Sequence, residues 1–334
     1  MPTEDCVKDT LRKLAEAFGP SGREERVRDI IRQEIEGLVD EVQVDAMGNL
    51  LAVKRAPGKR VLITAHMDEI GIIVTHVDTN GYLRFSSIGG LSPITLIGSR
   101  VRFADGTVGT INVEKLDDPT KVPDMAKMYI DVGTLDGQAG PIRVGDIGCM
   151  DRSLVEQAGV FVAKALDDRA GCAAVIEALR RLQKLRNEAW FVFTTQEEVG
   201  LRGATTASYR VDPQVAIAVD VTLTGDTPKA PPMAVSLGKG AAIKVRDGGM
   251  LAHPGLKDLI VRRAQEAGIP HQLEVLERGT TDACAMQLTR AGVPAGAISV
   301  PCRYVHTASE MVSSADLDAV SSLIVAVLEN EIEL

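Results

Sequence analysis

Aromatic side chains are scarce in this 334-residue chain: Phe, Tyr and Trp together make up 3%. That leaves little material for a base-stacking or sugar-stacking surface. Blocks of basic residues are also missing and the net charge is −9, which argues against a nucleic-acid partner. No apolar run approaches the roughly 18–20 residues needed to cross a bilayer, so no membrane partner is expected. The five cysteines, Cys6, Cys149, Cys172, Cys284 and Cys302, are odd in number, scattered and never spaced as CxxC. This disfavours both a disulfide framework and a cysteine zinc site, and a reducing cytoplasm is the expected location. The opening segment MPTEDCVKDTLRKLAEAF is amphipathic and partly acidic and does not read as a signal peptide.

What the chain does have is apolar material, 45% of its residues, beside 25% charged ones. That supports a substantial core in one large or two ordinary domains. Residues 5–18 and 24–37 read as helices, with Leu11, Leu14, Ala15 and Phe18 on one face and Val27, Ile30, Ile31 and Ile35 on another. FGPSGREE between them reads as a Pro/Gly break, an N-cap serine and first-turn acids. EVQVDAMGNLLAVK reads as two short strands around Met47-Gly48-Asn49. KRVLITAHMDE becomes wholly apolar, as buried strands do.

From about residue 71 to 159 the texture changes to short alternating runs separated by Gly, Asp, Asn and Pro. This is the pattern of a small β-barrel or β-sandwich. Strand–helix units then resume: strands at 189–195, 215–221, 271–277 and 295–300, helices at 254–267, 281–291 and 314–330. The expected fold is therefore α/β. Residues 1–70 and 160–334 form a layered mixed sheet with helices on both faces, interrupted by a β-rich, barrel-like insertion at 71–159.

The strands of this α/β part end in acids and histidines. VLITAHMDE ends in His66, Asp68 and Glu69; KALDDRAG carries Asp167 and Asp168; FVFTTQEEVG ends in Glu197 and Glu198. VAIAVDV ends in Asp220, and ISVPCRYVHTASE in His306 and Glu310. Ligands bind at the carboxyl ends of strands in open α/β sheets, so these groups should meet at one edge. Two imidazoles and several carboxylates, without a thiol, suit zinc, cobalt or manganese. Two neighbouring glutamates repel, unless one binds a cation and the other faces the cavity beside it. One bridging carboxylate, with a His and an acid for each ion, would seat two metals and leave one acid free as general base.

AHMDEIG, KALDDRAG, QEEVGLRGA, AVDV and CRYVHTASE, in that order, resemble the M42 family of dinuclear metallo-aminopeptidases, the family of the tetrahedral TET, glutamyl and deblocking aminopeptidases. The resemblance covers essentially the whole chain and implies a zinc-peptidase-like fold. It implies two divalent ions per subunit, zinc foremost, with cobalt or manganese as alternatives. His66, Asp167 and Asp220 would hold one ion, and Asp167, Glu198 and His306 the other. Glu197 would be the general base, Asp68 would orient the His66 imidazole, and the Asp167–Asp168 peptide would be cis. It further implies short peptides as substrates, with the insertion as a dimerisation domain whose dimers build a tetrahedral dodecamer.

Other candidates have ordinary explanations. His76 alternates in a strand of the insertion, His253 precedes Pro254 at a helix start, and His271 opens a strand. Glu69 reads as a substrate-side acid or a turn residue, Glu310 as a first-turn helix acid, and Arg169 as the partner of a carboxylate; Asp282 reads as a helix-start acid, in a segment that resembles a GTDA motif which lies near the active site in the family. SLGKGAAIKV lacks phosphate-loop spacing. The rival readings are a related two-metal carboxypeptidase or N-deacylase, and a metal-bound scaffold without catalysis. The adjacent Glu197 weighs against the scaffold, and the lack of aromatics weighs against glycoside cleavage.

Overall fold

The computed structural model describes residues 4–118, 120–133 and 139–334. Helices α1 (Glu4–Glu16) and α2 (Glu25–Glu34) open the chain, near their expected positions. The break between them differs from the sequence reading. Glu24, not Ser21, is the N-terminal boundary residue of α2, and it makes no side-chain capping bond. The Ser21 hydroxyl instead donates to Asp68 Oδ2 at 2.6 Å. A hydrogen bond to a buried carboxylate is stronger than the neutral bond a helix cap offers.

Three strands follow: β1 (Glu41–Val44), β2 (Leu50–Lys54) and β3 (Arg60–His66). The chain then leaves the main sheet through β4 (Gly71–Val77), β5 (Leu83–Ile88), the one-turn helix α3 (Pro93–Leu96), β6 (Arg100–Phe103), β7 (Val108–Val113), β8 (Met128–Asp131) and β9 (Ile147–Met150). These six strands close a barrel in the order β4-β5-β8-β7-β6-β9. Alternation decides what fills it: Val101 and Phe103 of β6 point in, while Arg100 and Arg102 point out.

The rest comprises β10 (Val155–Gln157), β11 (Val160–Ala163), α4 (Leu166–Arg181), β12 (Glu188–Thr194), α5 (Arg202–Val211), β13 (Val215–Thr222) and β14 (Ala241–Arg246). It continues through α6 (Pro254–Glu266), β15 (His271–Val275), α7 (Asp282–Gln287), β16 (Ala295–Arg303), β17 (Glu310–Ser313) and α8 (Ser314–Leu328). β10, inside the 71–159 span, pairs with β11 in the main sheet rather than with the barrel. β14 falls where the sequence reading weighed only a phosphate loop, and α7 stops four residues before the expected 291.

The main sheet runs β1-β2-β12-β3-β13-β16-β17-β11-β10, with β14 pairing with β16 and β15 with β14. Strands β12, β3, β13 and β16 are mutually parallel, and β2 is antiparallel to β12. The period of two sorts each strand between two cores. Val61, Ile63 and Ala65 of β3 pack with α1, α2, α4, α6 and α8, whereas Leu62 faces the opposite core with Ala207 and Val211 of α5 and Met286 of α7. Each such fully buried Leu, Ile or Phe contributes roughly 1.5–3 kcal/mol. Helices thus cover both faces, and the free edge at the carboxyl ends of the parallel strands is where a site can open. Among the described residues no helix is long and apolar enough to cross a membrane.

Candidate active site

His66 is the last residue of β3, and Asp68 follows it by two. Asp167 and Asp168 lie at the start of α4 with non-helical dihedrals, joined by a cis peptide. Asp220 is in β13, Glu197 and Glu198 follow β12, and His306 follows β16. The backbone around these groups is unusual. Of nine described non-glycine residues with positive φ, five flank the site: Ala165, Gln196, Leu201, Tyr304 and His306. Such conformations persist where surrounding contacts over-determine them, and they cluster at functional sites. The turn after Glu198 needs its glycines. Gly200 has φ +120°, and a Cβ on Gly203 would fall 2.3 Å from Asn49 Oδ1 and 2.4 Å from the Thr195 carbonyl oxygen. The helix α5 can therefore start directly against the end of β12.

Asp167 sits between the two imidazoles. Its Oδ1 is 2.9 Å from His66 Nε2 and its Oδ2 is 3.4 Å from His306 Nε2. His306 Nε2 is also 3.2 Å from Glu198 Oε2, and His66 Nε2 is 3.8 Å from Asp220 Oδ1. Ligand-type atoms of His66, Asp167 and Glu198 all lie within 4.8 Å of one another, as do those of His66, Asp168 and Asp220. Asp168, which the sequence reading left out of the ligand set, is therefore close enough to be a ligand. Its carboxylate also accepts hydrogen bonds from the backbone N–H groups of His66 and Gly171, at 3.2 and 2.9 Å.

Asp68 is placed differently from a simple His–Asp pair. The closest contact of His66 Nδ1 is the Asp68 carbonyl oxygen at 3.1 Å, with the Asp68 carboxylate at 3.5 Å. That carboxylate accepts hydrogen bonds from the backbone N–H groups of Glu197 and Glu198, at 2.9 and 3.2 Å. Asp68 thus contacts both the imidazole and the acidic turn.

The electrostatics call for positive charge. Burial pushes the carboxyls of Glu197, Asp220 and Asp168 well above their usual range, and neighbouring acids add to the effect. Burial would depress His306, but the Asp167 and Glu198 carboxylates outweigh it and raise it to about 11. Glu198 Oε1 is buried without a hydrogen-bond partner. Crowded carboxylates, a partnerless buried oxygen and two imidazoles fit a pair of divalent cations. The site opens into a cavity of about 530 Å³, large enough for a small peptide end. Glu197, Leu201, Val221, Leu276 and Thr280 line it beside the metal-type residues.

Glu310 is corrected by the structure. It opens β17 rather than a helix, and its carboxylate accepts hydrogen bonds from the Asp167 and His306 backbone N–H groups at 2.9 and 2.8 Å. It therefore holds two site residues in place from behind. Glu69 and Arg169 also lie behind the site, where the buried Glu69 carboxylate meets Lys164 Nζ at 2.8 Å and Arg169 Nη2 at 3.3 Å. Asp282 starts α7 and accepts a hydrogen bond from the Thr194 hydroxyl at 2.6 Å. His76 is exposed, His253 caps α6, and His271 Nδ1 meets the Ile269 carbonyl oxygen at 2.9 Å. A strand-start acid that holds backbone N–H groups four and 143 residues away follows no sequence period, so Glu310 had no pattern to find it by.

Comparison with known proteins gives one consistent result. The family model described as M42 glutamyl aminopeptidase matches residues 48–323. A protein of Acetivibrio thermocellus, provisionally assigned as an aminopeptidase, is 46% identical over 96% of this chain and 98% of its own length. The structure of the aminopeptidase APDkam598 from the archaeon Desulfurococcus kamchatkensis superposes with a TM-score of 0.94 at 37% identity, covering 98% of this chain and 95% of that one. The TET1 peptidase of Pyrococcus horikoshii, which can assemble into a tetrahedron or a large octahedral shell, superposes with a TM-score of 0.86 at 32% identity, covering 96% and 99%.

Proposed function

The chain belongs to the M42 glutamyl aminopeptidase family, and from that premise we propose that it is a two-metal aminopeptidase releasing N-terminal residues from short peptides. The observation that carries this reading is the convergence of His66, Asp167, Glu198, Asp220 and His306 on one cavity that Glu197 also lines. His66, Asp167 and Asp220 would hold one cation and Asp167, Glu198 and His306 the other. Zinc is the foremost candidate, and cobalt or manganese suit the same donor set. When bound, the ions supply Lewis-acid polarisation of the scissile carbonyl and a water acidic enough to attack it.

The chain's own residues do the rest. Glu197 accepts the attacking water's proton and returns it to the leaving amine. Burial, with the nearby Asp220, Asp282 and Glu198 charges, raises its carboxyl well above the usual range, so it holds a proton more readily than an exposed glutamate does. Asp68 and Glu310 keep the acidic turn and the Asp167 and His306 backbones in register. The cavity walls, Leu201, Val221 and Leu276 among them, accept the first side chain. Exhaustive chelation is expected to abolish hydrolysis of aminoacyl-anilides, and added zinc or cobalt to restore it. Full activity in protein that elemental analysis finds free of metal would remove the two-metal reading.

The insertion, drawn at 71–159 between catalytic segments 1–70 and 160–334, is proposed as the dimerisation domain, with dimers building a tetrahedral dodecamer. In the insertion, Ile94 of α3 and Val122 and Val144 of its connecting segments are 66%, 60% and 63% exposed, apolar side chains that contact with a second copy would bury. Light scattering should give twelve times the monomer mass, and a clean monomer would remove this part. Free cysteines throughout fit the cytoplasm.

A further inference from the structure

The loop between α1 and α2, whose Ser21 reads in the sequence as an N-cap and Glu24 as a first-turn acid, reaches the acidic turn. Three successive amides in that turn are held by side-chain carboxylates from elsewhere in the chain. The Gln196 N–H donates to Glu24 Oε1 at 3.1 Å, the Glu197 N–H to Asp68 Oδ1 at 2.9 Å, and the Glu198 N–H to Asp68 Oδ2 at 3.2 Å. Ser21 Oγ donates to the same Asp68 Oδ2 at 2.6 Å, and the Gly22 N–H to Glu24 Oε1 at 2.7 Å. Backbone bonds tie this loop to the end of β3: the Ser21 N–H donates to the Glu69 carbonyl at 3.3 Å and the Glu69 N–H to the Gly19 carbonyl at 3.1 Å. Loop 19–24, Asp68 and the turn therefore form one connected block.

We infer that Ser21 and Glu24 are positioning residues for catalysis: together with Asp68 they clamp the 196–198 backbone and so aim the Glu197 and Glu198 carboxylates. The inference rests on Glu197 acting as the proton acceptor. Adjacent residues of an extended chain point to opposite sides, so both acids reach one cavity only if the peptide planes between them are turned and held. Gln196 adopts φ +56°, a conformation that costs free energy unless its surroundings impose it. Glu24, which does not line the cavity, supplies that constraint through its bond from the Gln196 N–H.

The burial pattern points the same way. Glu24 is 5% exposed, Ser21 6% and Asp68 0%. Among the described residues Glu24 has no ion-pair partner. A buried carboxylate without a cation, close to a second carboxylate, is a poor device for stability, and a neutral acceptor would fold more cheaply. Burial and the Asp68 charge push the Glu24 carboxyl up to about 7. Departures of this kind from local rules are characteristic of functional sites.

The test compares Glu24→Ala, Glu24→Gln, Ser21→Ala and Glu197→Gln with the natural chain. Turnover is read on metal-loaded enzyme, and amide hydrogen exchange on metal-free protein. Glu24→Ala is expected to lower kcat by about 10- to 100-fold with KM within about threefold, because small misplacements of a catalytic group cost that much. Exchange should quicken in the peptide spanning 194–200 and not across the sheet. Glu24→Gln keeps an oxygen that accepts from the Gln196 N–H, and should return kcat to within about threefold of the natural chain. If Glu24→Ala does not fold, Ser21→Ala carries the test, with an expected loss in kcat of about three- to tenfold and the same local exchange change. Unchanged kcat, unchanged local exchange, or faster exchange spread evenly over the protein would overturn the clamp. Undiminished turnover in Glu197→Gln, with the local exchange result intact, would instead overturn the role given to Glu197.

Discussion

Asp167→Ala is expected to leave the protein folded and unable to retain either cation, with turnover at background. The geometry gives the reason. One carboxylate faces two imidazoles through its two oxygens, at 2.9 Å from His66 Nε2 and 3.4 Å from His306 Nε2. Asp167 is also the acid of the group whose carboxyl is held below the usual range, against the cost of burial, by His306 and His66. Two divalent cations sharing a site lie about 3.5–4 Å apart. At that distance they repel strongly unless a negative charge lies between them, so removing the shared carboxylate unseats both. His306→Ala, by contrast, removes a ligand from one position only and should retain close to one ion. Elemental analysis of dialysed protein separates the two cases. Two ions retained in Asp167→Ala would move the bridge to Asp168, whose carboxylate already lies in the group formed with His66 and Asp220.

The second large effect separates the neighbours Glu197 and Glu198. Glu197→Gln should keep the fold and both ions while lowering kcat by about 10²–10⁴-fold, the usual loss when a general base is removed. The amide cannot accept the water's proton. Glu198→Gln should act first on metal content, because a neutral amide oxygen is a weaker ligand than a carboxylate. The structure supplies the asymmetry behind this prediction. Both acids line the cavity, but the Glu198 side chain is 4% exposed and lies 3.2 Å from His306 Nε2, whereas Glu197 pairs with neither imidazole among the described residues. Loss of metal in Glu197→Gln with retention in Glu198→Gln would reverse the two roles.

Much of the architecture was legible because hydrophobic periods carry it. The apolar runs within β3, β12 and β13 announce buried strands, and the alternating runs of 71–159 announce a small β-barrel or β-sandwich. The acids and histidines at the strand ends were visible because a polar group ending an apolar run has a cost that only a partner or a ligand removes. What stayed hidden was whatever depends on contacts distant in sequence. Ser21 and Glu24 have the residue types and spacing of a helix start, and nothing local says that Asp68 and Gln196 take them instead. Glu310 follows His306 in a polar stretch without period, yet it binds the Asp167 and His306 backbones. Asp168 adjoins a ligand candidate, and only the turned backbone at 167–168 brings both carboxylates inward. Strand β14 was hidden by the glycines that precede it in SLGKG, which read as a loop although the pairing begins just after them at Ala241.

The central claim is that metal binding by the His/carboxylate cluster and proton transfer by Glu197 are separate functions of one site. The most direct measurement titrates zinc or cobalt into metal-free natural protein and into metal-free Glu197→Gln, recording bound metal and aminoacyl-anilide turnover on the same samples. The account predicts two ions bound per chain in both proteins, with turnover rising alongside occupancy only in the natural chain and staying at least about 10²-fold lower in the variant. Turnover in Glu197→Gln within tenfold of the natural chain at equal occupancy, or turnover in the natural chain before any metal is added, would contradict it.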